Sequence, residues 1–366
     1  MKVLFVSAFS SKETGSYHQR LFNLKEGLAG FGVDTGMLYL GDYFVQSPYI
    51  LKALDIPLIL KKLERYDVIH AGASSACYVA GLAKEFGNFS LVQDVHGCVE
   101  ELLLQEGAFI IGRDISYLQG VLLENISNLT SDLFITCSRP LKERLLQRGY
   151  DKQLIEVIRN GVDTELFKPR GFPSNSPKFV VTYAGSFQKW QGIENFFEAA
   201  KLISDPNVKF RVIGFKKEDT QLKNRFDQEL MGRVELIDSL SQTELIDQLN
   251  SSDVLVIPRN KNIATQMAFP TKFAEYLAVG KPVIVTEVDE TAGFVRKSKC
   301  GFVCDPSPTS IADAIMTAKR SSESALLRMG KNGRQLAESM FDRRLIAETY
   351  FDFLQSRLRR IGFIAN

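Results

Sequence analysis

A lysine and a glutamate three residues apart, Lys272 and Glu275, stand in the segment Ala268-Phe269-Pro270-Thr271-Lys272-Phe273-Ala274-Glu275-Tyr276-Leu277-Ala278-Val279-Gly280-Lys281-Pro282. Pro270 precedes a short helix expected over 271–278, which Gly280 and Pro282 stop before a buried strand. The first turn of such a helix, opened by Thr271, presents unpaired backbone N–H groups at its positive dipole end. The Lys272 ammonium adds a full charge, and the combination suits a diphosphate. Glu275, one turn further on, can accept hydrogen bonds from two ribose hydroxyls. The same spacing also fits a plain surface ion pair contributing about 0.2–0.5 kcal/mol.

In the first half of the chain, Asp94-Val95-His96-Gly97 ends an apolar run and enters a loop. A histidine at a strand's carboxyl end either meets a ligand or is satisfied by neighbouring carbonyls. His70 ends the neighbouring run as a core or rim residue, and Glu100 and Glu101 can bind or deprotonate an acceptor. The five cysteines are scattered and odd in number, so they do not form a disulfide framework. Cys300 and Cys304, with three histidines in the whole chain, do not make a structural zinc site; no metal is expected.

These side chains need a frame. Short apolar runs recur at residues 3–9, 36–40, 68–71, 91–95, 133–137 and 157–158. Between the first two, Leu21, Leu24, Leu28 and Phe31 recur at the three- and four-residue steps of a helix with one buried face. Unbroken apolar strands alternating with helices predict a parallel sheet covered on both faces. The texture changes at Arg159-Asn160-Gly161-Val162-Asp163, and the proline-rich stretch 168–177 reads as a linker. Alternation restarts at 179–184, 210–213, 234–237, 254–257, 283–285 and 302–304. The expected organisation is two doubly wound α/β domains, 1–168 and 169–341, with 342–366 rejoining the first. Residues 342–360 read as an amphipathic helix burying Leu345, Tyr350, Phe353 and Leu354. Its Arg357, Arg359 and Arg360 complement the helix C-terminus or meet anionic lipid.

Composition narrows the partners. Lys and Arg number 45 against 43 Asp and Glu, a formal net charge of +2, which argues against nucleic acid. The N-terminal apolar run lacks a cleavage site, and no run reaches the roughly 18–20 residues of a membrane span, so a cytoplasmic protein is expected. Residues 50–65 interleave Leu51, Leu54, Leu58, Ile59 and Leu63 with Lys52, Lys61, Lys62 and Arg65. That pattern fits peripheral membrane contact or an ordinary core-facing segment, with Pro57 breaking any continuous helix.

The string Pro270-x-Lys272-x-x-Glu275-Tyr276-Leu277-Ala278-x-Gly280-Lys281-Pro282-Val283-Ile284 resembles the donor-binding helix of the retaining GT-B glycosyltransferases of the large family-four group. Residues 184–192 resemble that group's first loop of the C-terminal domain, and 159–169 its passage between domains. The resemblance covers nearly the whole chain. It implies a GT-B fold, two Rossmann-like domains facing across a cleft, with the acceptor on the first and the nucleotide-sugar on the second. It also implies a UDP-sugar donor, a glycan or lipid-linked acceptor of cell-surface polysaccharide synthesis, retention of anomeric configuration, and no cofactor. Carried over by position, Glu275 holds the donor ribose, Lys272 faces the diphosphate, and His96 stands beside the reacting sugar. Gly15 lets backbone approach the phosphate.

Three positions depart from the group. The first glutamate of its paired motif falls at Met267, so either Asn262 or the backbone of Ala268 and Phe269 replaces it, or the donor sugar is held differently. The arginine and lysine of its glycine loop are Ser186 and Gln191, leaving Lys189, Lys272 or Arg259 to supply positive charge. Two other readings fit the same architecture. A nucleotide-sugar epimerase needs several acid–base groups around the sugar, against which His96 and Met267 argue. A non-catalytic nucleotide-sugar-binding protein would explain the departures as a degenerate site.

Overall fold

The computed structural model describes residues 1–12, 15–42, 56–100, 113–170, 177–216, 219–230, 232–360 and 362–363. It divides into two compact units, Met1–Gly161 with Arg343–Asn366, and Val162–Asp342.

The first unit is a six-stranded parallel sheet in the order β2-β1-β3-β4-β5-β6. Its strands are β1 (Lys2–Ser7), β2 (Asp34–Tyr39), β3 (Val68–Gly72), β4 (Ser90–Val95), β5 (Leu133–Thr136) and β6 (Ile155–Val157). Helices α1 (Ser16–Gly30), α2 (Ile56–Leu63), α3 (Ser74–Lys84), α4 (Arg113–Thr130) and α5 (Arg139–Gln147) connect them. Both faces of the sheet are covered, which is why its strands are continuous apolar runs. Val3 and Phe5 face Leu21, Leu24 and Leu28, whereas Leu4 and Val6 face the opposite cluster containing Ile69, Val79 and Leu91. Strand order reverses between β1 and β3, so their carboxyl ends border a ligand crevice in folds of this kind.

The tail helix, Arg343–Arg360, packs on α1 in this unit. Ala347, Tyr350, Leu354 and Leu358 form its buried stripe, and Phe353 joins them. Leu345 lies off that stripe and is 39% exposed, contrary to the amphipathic reading. Phe31 is also exposed, at the end of α1, where it stacks on Phe351 at 5.2 Å. Helix α2 begins only at Ile56, with Pro57 in its first turn, where no backbone donor is required. Ile59 and Leu63 are buried in the sheet's core, the core-facing alternative for this segment. Leu51, Lys52, Leu54 and Glu101 lie outside the described residues.

The second unit is a six-stranded parallel sheet ordered β12-β11-β10-β7-β8-β9. Its strands are β7 (Phe179–Ala184), β8 (Val208–Phe215), β9 (Val234–Asp238), β10 (Val254–Ile257), β11 (Val283–Thr286) and β12 (Gly301–Cys304). Around them run α6 (Ile193–Leu202), α7 (Thr220–Leu230), α8 (Gln242–Asn250), α9 (Ile263–Met267), α10 (Thr271–Ala278), α11 (Glu290–Ser298), α12 (Pro308–Arg320) and α13 (Glu323–Leu336). Strand order reverses here between β7 and β10.

The chain passes between units at Gly161–Val162, ahead of the proline-rich stretch at 168–177, of which 171–176 lie outside the described residues. Packing explains the position. Val162 bridges to Asp342, Phe167 is buried, and the Arg334 guanidinium donates to the carbonyls of Phe167 (2.6 Å) and Ala278 (2.8 Å). Among the described residues, no helix is long and apolar enough to cross a membrane.

Candidate functional site

In the second unit the expected residues gather where the strand order reverses. The loop after β7 runs from Gly185 to Gln191, and the segment after β10 carries Arg259, Asn262 and α9 before α10 begins. Tyr276, on the buried face of α10, ties the two together. Its hydroxyl accepts from the Ala184 amide at 2.8 Å and donates to the Ala184 carbonyl at 3.1 Å.

Lys272 extends from the first turn of α10 toward that loop. Its Nζ lies 4.3 Å from the centroid of the Tyr183 ring, a cation–π contact, and is shut from solvent. Among the described residues it has no hydrogen-bond partner. Gly185 makes this placement possible. Its φ of +146° is a conformation L side chains rarely adopt, and a Cβ there would stand 2.3 Å from the Lys272 nitrogen. Burial, with Arg259 nearby, pulls the Lys272 pKa down to about 7, and Glu275 opposes that shift. Burial also pushes the Glu275 carboxyl up to about 7, with Lys272 pulling the other way. Two ionisable groups are thus held where neither is well satisfied, beside helix amides that precede the first intrahelical bond.

The other candidates divide. Arg259 is buried and its Nη1 donates to Asp289 at 2.6 Å, so much of its charge is met within the fold. Asn262 caps α9, its side chain accepting from the Thr265 amide at 3.0 Å, which commits the oxygen proposed to stand in for a carboxylate. The Phe269 side chain is 3% exposed and stacks on Phe341, leaving only its backbone for a ligand. Ala268, beside it, accepts from Arg259 Nη1 at 3.3 Å through its carbonyl. Thr271 and Met267 are half-buried, Ser186 and Lys189 exposed. The Gln191 amide oxygen is buried and without a hydrogen-bond partner among the described residues. Sequence reasoning passed over Tyr183 and Gly185 as site residues, although a glycine directly after an apolar strand was the available signal.

In the first unit, His96 follows β4 and its Nδ1 is buried without a hydrogen-bond partner among the described residues. Burial and the Arg20 charge lower its pKa to about 4, against the pull of Asp94, so the ring is neutral at pH 7. Beneath it lies a closed network. Arg20 clasps Asp94 through Nε (2.7 Å) and Nη2 (2.9 Å) and donates to Asn160 Oδ1 at 3.2 Å. His70 Nε2 lies 3.4 Å from Asp94, and its Nδ1 pairs with the Tyr350 hydroxyl at 2.7 Å. His70 is therefore core. Glu100 pairs with Arg144 at 2.7 Å, which holds its carboxyl below the usual range and makes it a poor base. Gly15 has an extended φ of 172° and open space where a Cβ would go, so the fold itself does not require glycine there.

Residues 164–336 match the Glycosyl transferases group 1 family and residues 25–166 the Glycosyltransferase Family 4 family. A D-inositol 3-phosphate glycosyltransferase from Streptomyces bingchenggensis is 25% identical over 268 residues, 65% of this chain and 55% of that protein. The chain spans only a little over half the length of the curated relatives it matches. Sucrose-phosphate synthase from Thermosynechococcus elongatus shares the fold with a TM-score of 0.78 at 18% identity, covering 98% of this chain and 99% of that one. HepE of Anabaena in complex with UDP gives a TM-score of 0.78 at 19% identity, covering 97% and 100%. These neighbours place both units in the GT-B class of paired Rossmann-like domains.

Proposed function

Since the chain belongs to the glycosyl transferases group 1 family, we propose that it transfers a sugar from a UDP-sugar to a glycan or lipid-linked acceptor with retention of anomeric configuration. The observation that carries this reading is the buried Lys272 ammonium. It lies beside Gly185 at the start of α10 without a hydrogen-bond partner among the described residues. A diphosphate bound there would pair with it and with the helix amides, supplying the charge that the fold withholds. Negative charge grows on the leaving diphosphate as the glycosidic bond breaks, so the same contacts strengthen in the transition state.

Glu275 would take the ribose hydroxyls, with pairing of Lys272 to phosphate leaving the carboxyl to its own ligand. By the family resemblance, the neutral His96 ring would hydrogen-bond the sugar. The attacking hydroxyl would enter on the face that the diphosphate leaves and pass its proton to a phosphate oxygen. With Lys272 and the helix amides carrying the phosphate charge, the reaction would need no divalent metal. UDP is favoured as the carrier by HepE, a structural neighbour bound to it. A role in cell-surface polysaccharide assembly at the cytoplasmic side of the membrane follows from the same reading.

Titration calorimetry with UDP and UDP-glucose tests this. Binding by the wild type, lost in Lys272→Met, and turnover that persists in excess chelator are the expected results. Wild-type affinity for UDP that survives Lys272→Met unchanged would remove the reading's basis.

A further inference from the structure

Tyr17, in the first turn of α1, stands against His96 with ring centroids 5.6 Å apart in an edge-to-face arrangement. Phe9, in the loop after β1, also packs on the tyrosine, with ring centroids 5.7 Å apart. The ring end is fixed by a notch. A Cβ at Gly72, the last residue of β3, would fall 0.9 Å from the Tyr17 hydroxyl oxygen, so this seat exists only because residue 72 lacks a side chain. The hydroxyl in the notch is shut from solvent and has no hydrogen-bond partner among the described residues. A buried, unpaired hydroxyl lowers stability, so the polar end does not explain the tyrosine's place. What the placement does achieve is to press an aromatic edge against the imidazole of His96.

We propose that Tyr17, seated in the notch over Gly72, is a positioning residue that fixes the plane of the His96 imidazole and keeps water from it. The inference rests on the reading that His96 meets the sugar. A ring held in one orientation delivers its hydrogen bond without first losing rotational freedom. A ring kept dry stays neutral, with one nitrogen donating and the other accepting. The charged and titratable groups facing His96 are Arg20 and Tyr17 from α1 and Asp94 from β4, while the Cys137 thiol, just beyond β5, donates to the His96 carbonyl at 3.2 Å. Arg20 and Asp94 are already clasped to each other. Removing the Tyr17 ring therefore changes chiefly hydration.

The chain has three histidines, so each imidazole can be followed by NMR through a pH titration of the whole protein. In the wild type the His96 signal should not titrate until pH approaches 4. In Tyr17→Ala its midpoint should rise by at least one pH unit toward the ordinary value, and Gly72→Ala, which fills the notch, should do the same. Tyr17→Phe keeps the ring and should keep the low midpoint, with a urea midpoint no lower than wild type. UDP release from UDP-glucose should fall about tenfold in Tyr17→Ala with its acid limb moved up, and recover in Tyr17→Phe. A His96 midpoint unchanged in both Tyr17→Ala and Gly72→Ala would overturn the inference. Loss of turnover in Tyr17→Phe equal to that in Tyr17→Ala would also overturn it, because the hydroxyl and not the ring would then matter. The underlying reading has its own control: if His96→Ala turns over normally, that reading fails whatever the titration shows.

Discussion

Each unit holds ionisable groups near the carboxyl ends of its central strands, and the two do so in opposite ways. In the first, Arg20 and Asp94 are joined through two short hydrogen bonds, with Asn160 meeting a further guanidinium nitrogen. Asp94 consequently stays ionised far below the usual carboxylate range despite its burial. In the second, Lys272 and Glu275 lie one helical turn apart without a comparable bond among the described residues, and both are drawn to about 7. A buried charge whose partner belongs to the fold holds elements together. A buried charge left without one marks where a ligand's charge belongs.

The comparison can be broken most forcefully at Asp94. Asp94→Ala leaves a buried guanidinium uncompensated and should cost about 3–5 kcal/mol of folding stability, read from urea unfolding. Lys272→Met should reverse the pattern. Its folding midpoint should hold or rise, since an unsatisfied ammonium is removed, while turnover should fall about 10²–10³-fold. A large stability loss in that variant would make Lys272 a structural residue like Arg20.

Glu275→Gln sharpens the contrast through pH. The folded Glu275 carboxyl sits above its ordinary 4.5, so it binds protons more tightly in the folded state, and stability should decline from pH 4.5 to about 7. Folded Lys272 sits below its ordinary 10.5, so stability should climb from about 7 to 10.5. The glutamine variant should flatten the acidic limb and, with the carboxylate that holds the Lys272 pKa up removed, start the alkaline limb at lower pH, as followed by thermal unfolding across buffers. Lys189→Ala should have the smallest effect. That side chain is exposed, and UDP affinity should change by at most about 1 kcal/mol.

Much of this was legible in the chain. Strands β7 and β10 fall on the residues expected because buried parallel strands are unbroken β-branched and aromatic runs with little else to signal. Helix α10 was marked at both ends, by Pro270 and by Gly280 with Pro282. The pairing of Arg20 with Asp94, 74 residues away, left no local trace, because only the folded sheet brings α1 over β4. For the same reason Glu100 read as a free acid until Arg144 appeared beside it. Leu345 and Phe31 were misplaced at helix ends, where the periodicity continues but the packing surface does not. Asn262 matched a vacancy in a motif, yet its side chain serves the helix that follows it, a use that sequence spacing equally allowed.

If Lys272 awaits an anion, calorimetry of UDP binding near pH 8 in buffers of different ionisation enthalpy will register the proton it takes up. A diphosphate that pairs with a largely neutral amine must draw a proton onto it, so the apparent enthalpy should vary with buffer in the sense of proton uptake, and that dependence should vanish in Lys272→Met. Binding heats independent of buffer in the wild type, or the same uptake in the methionine variant, would contradict the account.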